Sequence, residues 1–193
     1  MYSLILDSST KKLYICLLND NKVLYEQYIE GRNDHAKNIV LKVDEAMSAA
    51  HIDSDKLDEI IVGVGPGSYT GVRMAVAVAK MMAVFKKNIK LYSISTLKLM
   101  ASAKKGLVLS SIDARRGNCF GMIIDNNKNE YVINEALISY EDLKNNKYDI
   151  EVNEDNYIVD PIYVLNNKKI VEEPHLLVPN YLRDTEAERN INA

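Results

Sequence analysis

Apolar and polar positions fall into short, regular runs along this chain. Residues 2–8, 12–19 and 22–29 are rich in the β-branched and aromatic residues of strands. Asp7-Ser8-Ser9-Thr10-Lys11 and Asn19-Asp20-Asn21 separate them with residues that turns prefer, which predicts a β-meander. Gly31-Arg32-Asn33-Asp34 follows, and Asn33 or Asp34 can cap a helix. Ala36, Ile39, Val40, Val43, Ala46, Met47 and Ala50 then form one helical stripe, with Lys37, Lys42, Asp44 and Glu45 off it. The spacing predicts a helix over 34–50. Residues 59–64 read as a buried strand, and a glycine-rich turn leads into a helix over 70–87.

That second helix has no clear polar face. Between Met74 and Phe85 only Lys80 is polar, and a helix apolar nearly all round must be covered on two sides. Ala75, Ala79 and Ala83 recur every four residues and would let another helix approach closely. Two readings stay open: a central helix enclosed by its own chain, or one whose outer side is a partner's docking surface.

The remaining pattern predicts a strand at 89–94, a helix capped by Ser95 or Thr96 and running to Ala103, and a strand at 107–112. Asp113–Asn118 turns into a strand at 119–124, which 131–138 can pair with; Ser139 starts a short helix. Residues 156–160 read as one more strand, 164–175 are too polar to assign, and the tail beyond Pro179–Arg183 reads as frayed. The expectation is an α/β protein of two lobes, 1–100 (βββαβα) and a smaller 101–193, joined near 95–106.

Composition narrows the function. Apolar residues make up 47 % and charged ones 26 % of 193, with a net charge of −3, the balance of a soluble globular protein. Lys and Arg are interleaved with Asp and Glu, so the chain lacks the basic stripe needed to grip nucleic acid by itself. No run approaches the ~18 apolar residues of a membrane span, and the N-terminus enters a strand pattern with no export signal. Cys16 and Cys119 sit in apolar runs, as reduced core thiols of a cytoplasmic protein would.

Two stretches could carry chemistry. Gly65-Pro66-Gly67-Ser68-Tyr69-Thr70-Gly71 joins a strand to a helix N-terminus, where free backbone N–H groups can hold a phosphate. It is neither a P-loop nor the dinucleotide fingerprint, and a plain tight turn explains it as well. Asp7, at the end of the first strand and followed by Ser8, Ser9 and Thr10, could hold hydrated magnesium and phosphate oxygens. The competing reading is an Asx-turn closing the hairpin. If Asp7 and the loop face one cleft, the two signals reinforce each other. His35, His51 and His175 show no metal-binding spacing, and Ser68 lacks the nucleophile-elbow pattern.

Taken together, Leu4–Thr10, Gly65–Arg73, Asp113-Ala114-Arg115-Arg116 and Pro179–Arg183 resemble the TsaB (YeaZ) family. These are accessory subunits of bacterial tRNA threonylcarbamoyladenosine (t6A) synthesis, related to the TsaD/glycoprotease family. The resemblance implies a two-lobed actin/Hsp70/sugar-kinase fold. It also implies a heterodimer with TsaD, the catalytic paralogue, and work alongside TsaE, an ATPase. That assembly transfers threonylcarbamoyl to N6 of adenosine 37 in tRNAs reading codons that begin with A. Where the paralogue carries two metal-binding histidines, this chain has Thr96 and Met100, neither a usual ligand for such a metal. The implied role is therefore a non-catalytic scaffold with no metal or required cofactor, reaching tRNA only through the complex. ATP or ADP and Mg then act at the level of the complex, with Asp7, Ser8, Ser9, Thr10, Gly65, Gly67, Ser68, Thr70 and Gly71 as candidate phosphate contacts. The family's docking helices correspond to 34–50 and 70–87, with Ile39, Val43, Met47, Arg73, Met74, Ala75, Val78, Ala79, Met82 and Ala83 as expected interface. Left alone, such a chain can form a homodimer. Two enzyme readings compete: a small-molecule kinase of the same fold class using Asp113, and a glycoprotease-like metallopeptidase.

Overall fold

The computed structural model describes residues 1–30, 35–86 and 88–182. The expected cap at Asn33 or Asp34, Arg183 and the tail lie outside them. β1 (Tyr2–Asp7), β2 (Lys12–Asn19) and β3 (Lys22–Glu30) form the meander. α1 (His35–Ala49), β4 (Leu57–Gly63), α2 (Tyr69–Phe85), β5 (Lys90–Ile94) and α3 (Thr96–Ala101) follow. The remainder comprises β6 (Leu107–Arg115), β7 (Asn118–Asp125), β8 (Glu130–Ser139), α4 (Tyr140–Lys144), β9 (Ile150–Val152), α5 (Pro161–Asn167) and β10 (Lys169–Ile170).

Two mixed sheets result, ordered β10-β5-β4-β1-β2-β3 and β8-β7-β6-β9. β1 runs parallel to β4 and antiparallel to β2, so the first sheet is part parallel and part meander. Its central strands are buried on both faces, which is why they read as continuous apolar runs instead of alternating ones. Leu4, Leu6, Leu13, Ile15, Ile60 and Val62 point toward α1 and α2. Ile5, Tyr14, Cys16, Leu18 and Ile61 point the other way, into a core shared with α3 and the second sheet. This is the helix-covered, two-sheet α/β architecture expected of the actin/Hsp70/sugar-kinase class. Both cysteines are buried free thiols, and burial pushes Cys16 up to about 12.

The division at residue 100 is crossed twice. The core on the far face of the first sheet joins Ile5 and Ile61 to Val108, Met122 and Val152. Later the chain returns: β10 pairs with β5, and Asn180 N donates to Val64 O at 2.7 Å. Lys168 holds this return in place through an ion pair with buried Glu59.

One expected strand is corrected. Residues 156–160 are not a strand; the parallel partner of β6 is β9, at 150–152. Tyr157 and Val159 are apolar because they fill the shared core, without joining a sheet ladder. The stretch 164–175, too polar to assign, contains the end of α5, whose Asp160 side chain caps Ile162 N and Tyr163 N, and β10.

Candidate functional site

Asp7 and the glycine loop do come together, at the carboxyl ends of β1 and β4. Asp7 is buried, with Ser9 N donating to Oδ1 at 2.6 Å in an Asx-turn and Thr96 Oγ1 donating to Oδ2 at 2.6 Å. Gly65 N donates to the same Thr96 hydroxyl at 3.1 Å, and Ser9 Oγ lies 2.9 Å from it. Burial raises the Asp7 pKa above its ordinary 3.8, and the Thr96 and Ser9 hydrogen bonds only partly oppose it.

The loop itself is pressed onto the hairpin. Ser68 N donates to Ser9 O at 2.7 Å and Ser8 Oγ donates to Gly71 O at 2.6 Å. A Cβ on Gly71 would sit 1.9 Å from Ser8 O, and one on Gly67 would sit 2.2 Å from Ser9 O. The glycines are therefore required by backbone meeting backbone, where no side chain fits. Thr10 is buried too, its hydroxyl 3.2 Å from Tyr157 OH.

Of the nine candidate phosphate contacts, Asp7, Ser8, Ser9, Thr10, Gly65 and Gly71 are buried in this joint. Gly67 is half-buried, and Ser68 and Thr70 are exposed at the start of α2, where Ser68 Oγ caps Gly71 N. The buried polar groups satisfy one another. As it stands, the arrangement locks a hairpin to a helix, and a phosphate would have to displace those bonds. Thr96, which ties the two halves together, has no motif that announces this role; only its place after β5 brings it there.

Thr96 and Met100 also test whether a metal fits. The Thr96 hydroxyl is committed to Asp7 and Gly65, and Met100 is wholly buried in the shared core. These residues do not fit a divalent ion, and among the described residues no group of three His, Cys, Asp or Glu converges. Asp113 is exposed at a cleft of about 330 Å3 shared with Glu154 and Lys11. Among the described residues no helix is long and apolar enough to cross a membrane.

The fold places most of the expected interface residues inside the chain itself. Ile39, Val43, Met47, Ala75, Val78, Ala79 and Ala83 are buried in the chain's own core against the first sheet. Met74 and Met82 are half-buried, and Arg73 alone of the set is exposed. α1 and α2 instead expose Val40, Leu41, Met81, Val84 and Phe85, the last at 81 %. Arg73 lies over the Tyr69 ring at 3.9 Å and donates from Nε to Tyr181 OH at 2.7 Å, joining α2 to the returning segment.

Comparison with known proteins agrees with this fold. The TsaD family profile, described as tRNA N6-adenosine threonylcarbamoyltransferase, matches residues 29–167. The TsaB t6A biosynthesis protein of Bacillus subtilis is 32 % identical over 123 residues, 62 % of this chain and 53 % of that protein. TsaB of Haemophilus influenzae is 31 % identical over 122 residues, 61 % of this chain and 51 % of that one. The chain thus spans about half the length of the curated relatives it matches. A solved structure of YeaZ from Pseudomonas aeruginosa superposes with a TM-score of 0.77 over 94 % of this chain and 99 % of its own. At 19 % identity, that likeness concerns the fold alone. The profile spans well over half of this chain, which therefore belongs to the TsaD family.

Proposed function

We infer that this chain is a non-catalytic accessory subunit in t6A synthesis, docked on a TsaD-type partner through the outer faces of α1 and α2. The single observation that carries this is the apolar strip Val40, Leu41, Met81, Val84 and Phe85 on two helices packed side by side. Large apolar side chains left exposed on two neighbouring helices mark an interaction site. Met81, Val84 and Phe85 are one helical turn or less apart, and helix-on-helix docking needs such a ridge.

The inner alanines hold α2 to its own sheet, so the docking face is the opposite one. The chemistry belongs to the partner, because Thr96 and Met100 offer no ligand pair. ATP or ADP and Mg, a TsaE-type ATPase and tRNA enter at the level of the complex, in the cytoplasm. Adenosine 37 of tRNAs reading ANN codons is the acceptor. Without its partner the same face closes on a second copy of the chain.

The test is reconstituted threonylcarbamoylation of tRNA, together with co-purification of the two subunits. Phe85→Glu combined with Met81→Glu abolishes the complex and the stimulated activity while leaving the melting temperature unchanged. Ala79→Arg unfolds the chain instead. A complex that survives the paired substitution, or modification of tRNA by this chain alone, would refute the assignment.

A further inference from the structure

A second cavity, of about 480 Å3, opens where the parallel strands β4 and β5 end, and it includes neither Asp7 nor residues 65–71. Carboxyl-end crevices of parallel strands are where α/β folds seat ligands, and small-molecule sites span roughly 300–1,000 Å3. Its walls come from distant parts of the chain: Lys98 on α3, Tyr131 and Glu135 on β8, Lys169 on β10, and Asn180.

The charges in it are unbalanced. Lys98 is half-buried, and burial, with the Lys169 ammonium second, holds its pKa below the ordinary lysine value. Among the described residues neither lysine has a carboxylate within ion-pair distance. Glu135, the carboxylate that attracts Lys98, is engaged by Tyr131 OH at 3.1 Å and by Asn180 Nδ2 at 3.3 Å. Lys98 instead lies 5.9 Å from the centre of the Tyr131 ring. The half-buried Lys98 ammonium and the exposed Lys169 ammonium repel each other, and an anion between them turns that repulsion into attraction.

We propose that this cavity binds a small phosphoryl anion, free or carried by a nucleotide, with its charge held between Lys98 and Lys169. Phosphate suits lysine, which binds it as a compact point charge from any side. Asn134 lies on the rim, and Asn167 and Asn180 each have a second amide N–H beyond those donated to Tyr163 O and Glu135.

Calorimetric titration of the whole chain with pyrophosphate, and separately with ATP, tests this. At least one probe saturates a single site. Lys98→Gln weakens that binding roughly tenfold, Lys169→Gln does likewise, and Lys11→Gln in the other cleft leaves it unchanged. Lys98→Gln does not lower the melting temperature of the free chain, because it removes a repelled charge; this separates lost binding from lost folding. Equal affinity for both probes assigns the site to the phosphoryl group, and tighter ATP binding assigns it to a nucleotide. No saturation by either probe at millimolar concentration, or binding that survives the double lysine substitution, overturns the proposal.

Discussion

Gly63 is the position where one methyl group does most damage. It ends β4 with no Cβ, and a Cβ built there would lie 1.7 Å from Asp7 Oδ2 and 2.4 Å from Asp7 Cγ. Real Cβ contacts essentially never fall under 3.0 Å, so Gly63→Ala must drive the carboxylate away by more than about 1 Å. Both hydrogen bonds to Asp7 stand at 2.6 Å, and such a shift carries them beyond bonding distance. Bonds to a charged group contribute about 1.5–3 kcal/mol each, and overpacking a core costs about 1–3 kcal/mol. Asp7 has a raised pKa and is not a fully ionised acceptor at every pH, so the lower ends apply. The expected loss is about 3–5 kcal/mol, a lowering of the melting temperature by roughly 10 °C for a chain of this size. Urea unfolding and calorimetry measure it. The decisive control is Asp7→Ala, which removes the two severe contacts with Oδ2 and Cγ and leaves only the Asp7 Cβ at 2.9 Å: in that background Gly63→Ala should cost much less, giving a coupling energy well above ~0.5 kcal/mol. Additive costs, or a loss under ~0.5 kcal/mol for Gly63→Ala alone, would refute the close-packed joint.

Two further perturbations probe how the halves are held. Lys168→Met strips the partner from Glu59, which is buried and among the described residues otherwise accepts only from Ser3 Oγ at 2.7 Å. A buried charge left unpaired costs about 3–5 kcal/mol, which denaturant unfolding reads, and Glu59→Met in the same chain should restore most of it; a loss under ~1 kcal/mol counts against the pair. Glu154, which accepts from Lys11 N at 3.3 Å, has its pKa raised above 4.5 by burial, against the opposing pull of Lys11. A carboxyl with a raised folded-state pKa stabilises the fold below its unfolded value and loses that contribution as pH rises through the folded one. Glu154→Gln keeps an acceptor but cannot ionise, so its melting temperature relative to the parent should climb between about pH 4 and 8. A flat or falling difference would show that burial does not dominate at Glu154.

Legibility varied with the kind of information each element carries. α1 announced itself by period, and Ile39, Val43, Ala46 and Met47 on its stripe are indeed buried, although Val40 on the same stripe is exposed. α2 was evident as a helix, but its orientation was not. A hydrophobic period orients a helix only when polar residues mark the opposite face. With only Lys80 polar between Met74 and Phe85, the small Ala75 and Ala79 were no more marked than the large Met81 and Phe85. Packing decided it: the alanines let the helix sit close on the sheet, and the larger side chains faced outward. The short β9 escaped because three residues carry too little pattern, while Tyr157 and Val159 mimicked a strand by being buried.

The amino-acid order alone determined the strand–turn–helix units, the two-sheet class and the need for glycine between Val62 and Val72, since these follow from neighbours within a few residues. What those glycines meet was settled only in three dimensions. Ser8 and Gly71 are 63 residues apart, and Asp7 and Thr96 are 89 apart. A glycine pressed against a carbonyl and a glycine cradling a phosphate leave the same mark on the chain, because both need only the missing Cβ. Folding places Ser8 and Ser9 over the loop, and the group that fills the space is the protein's own backbone.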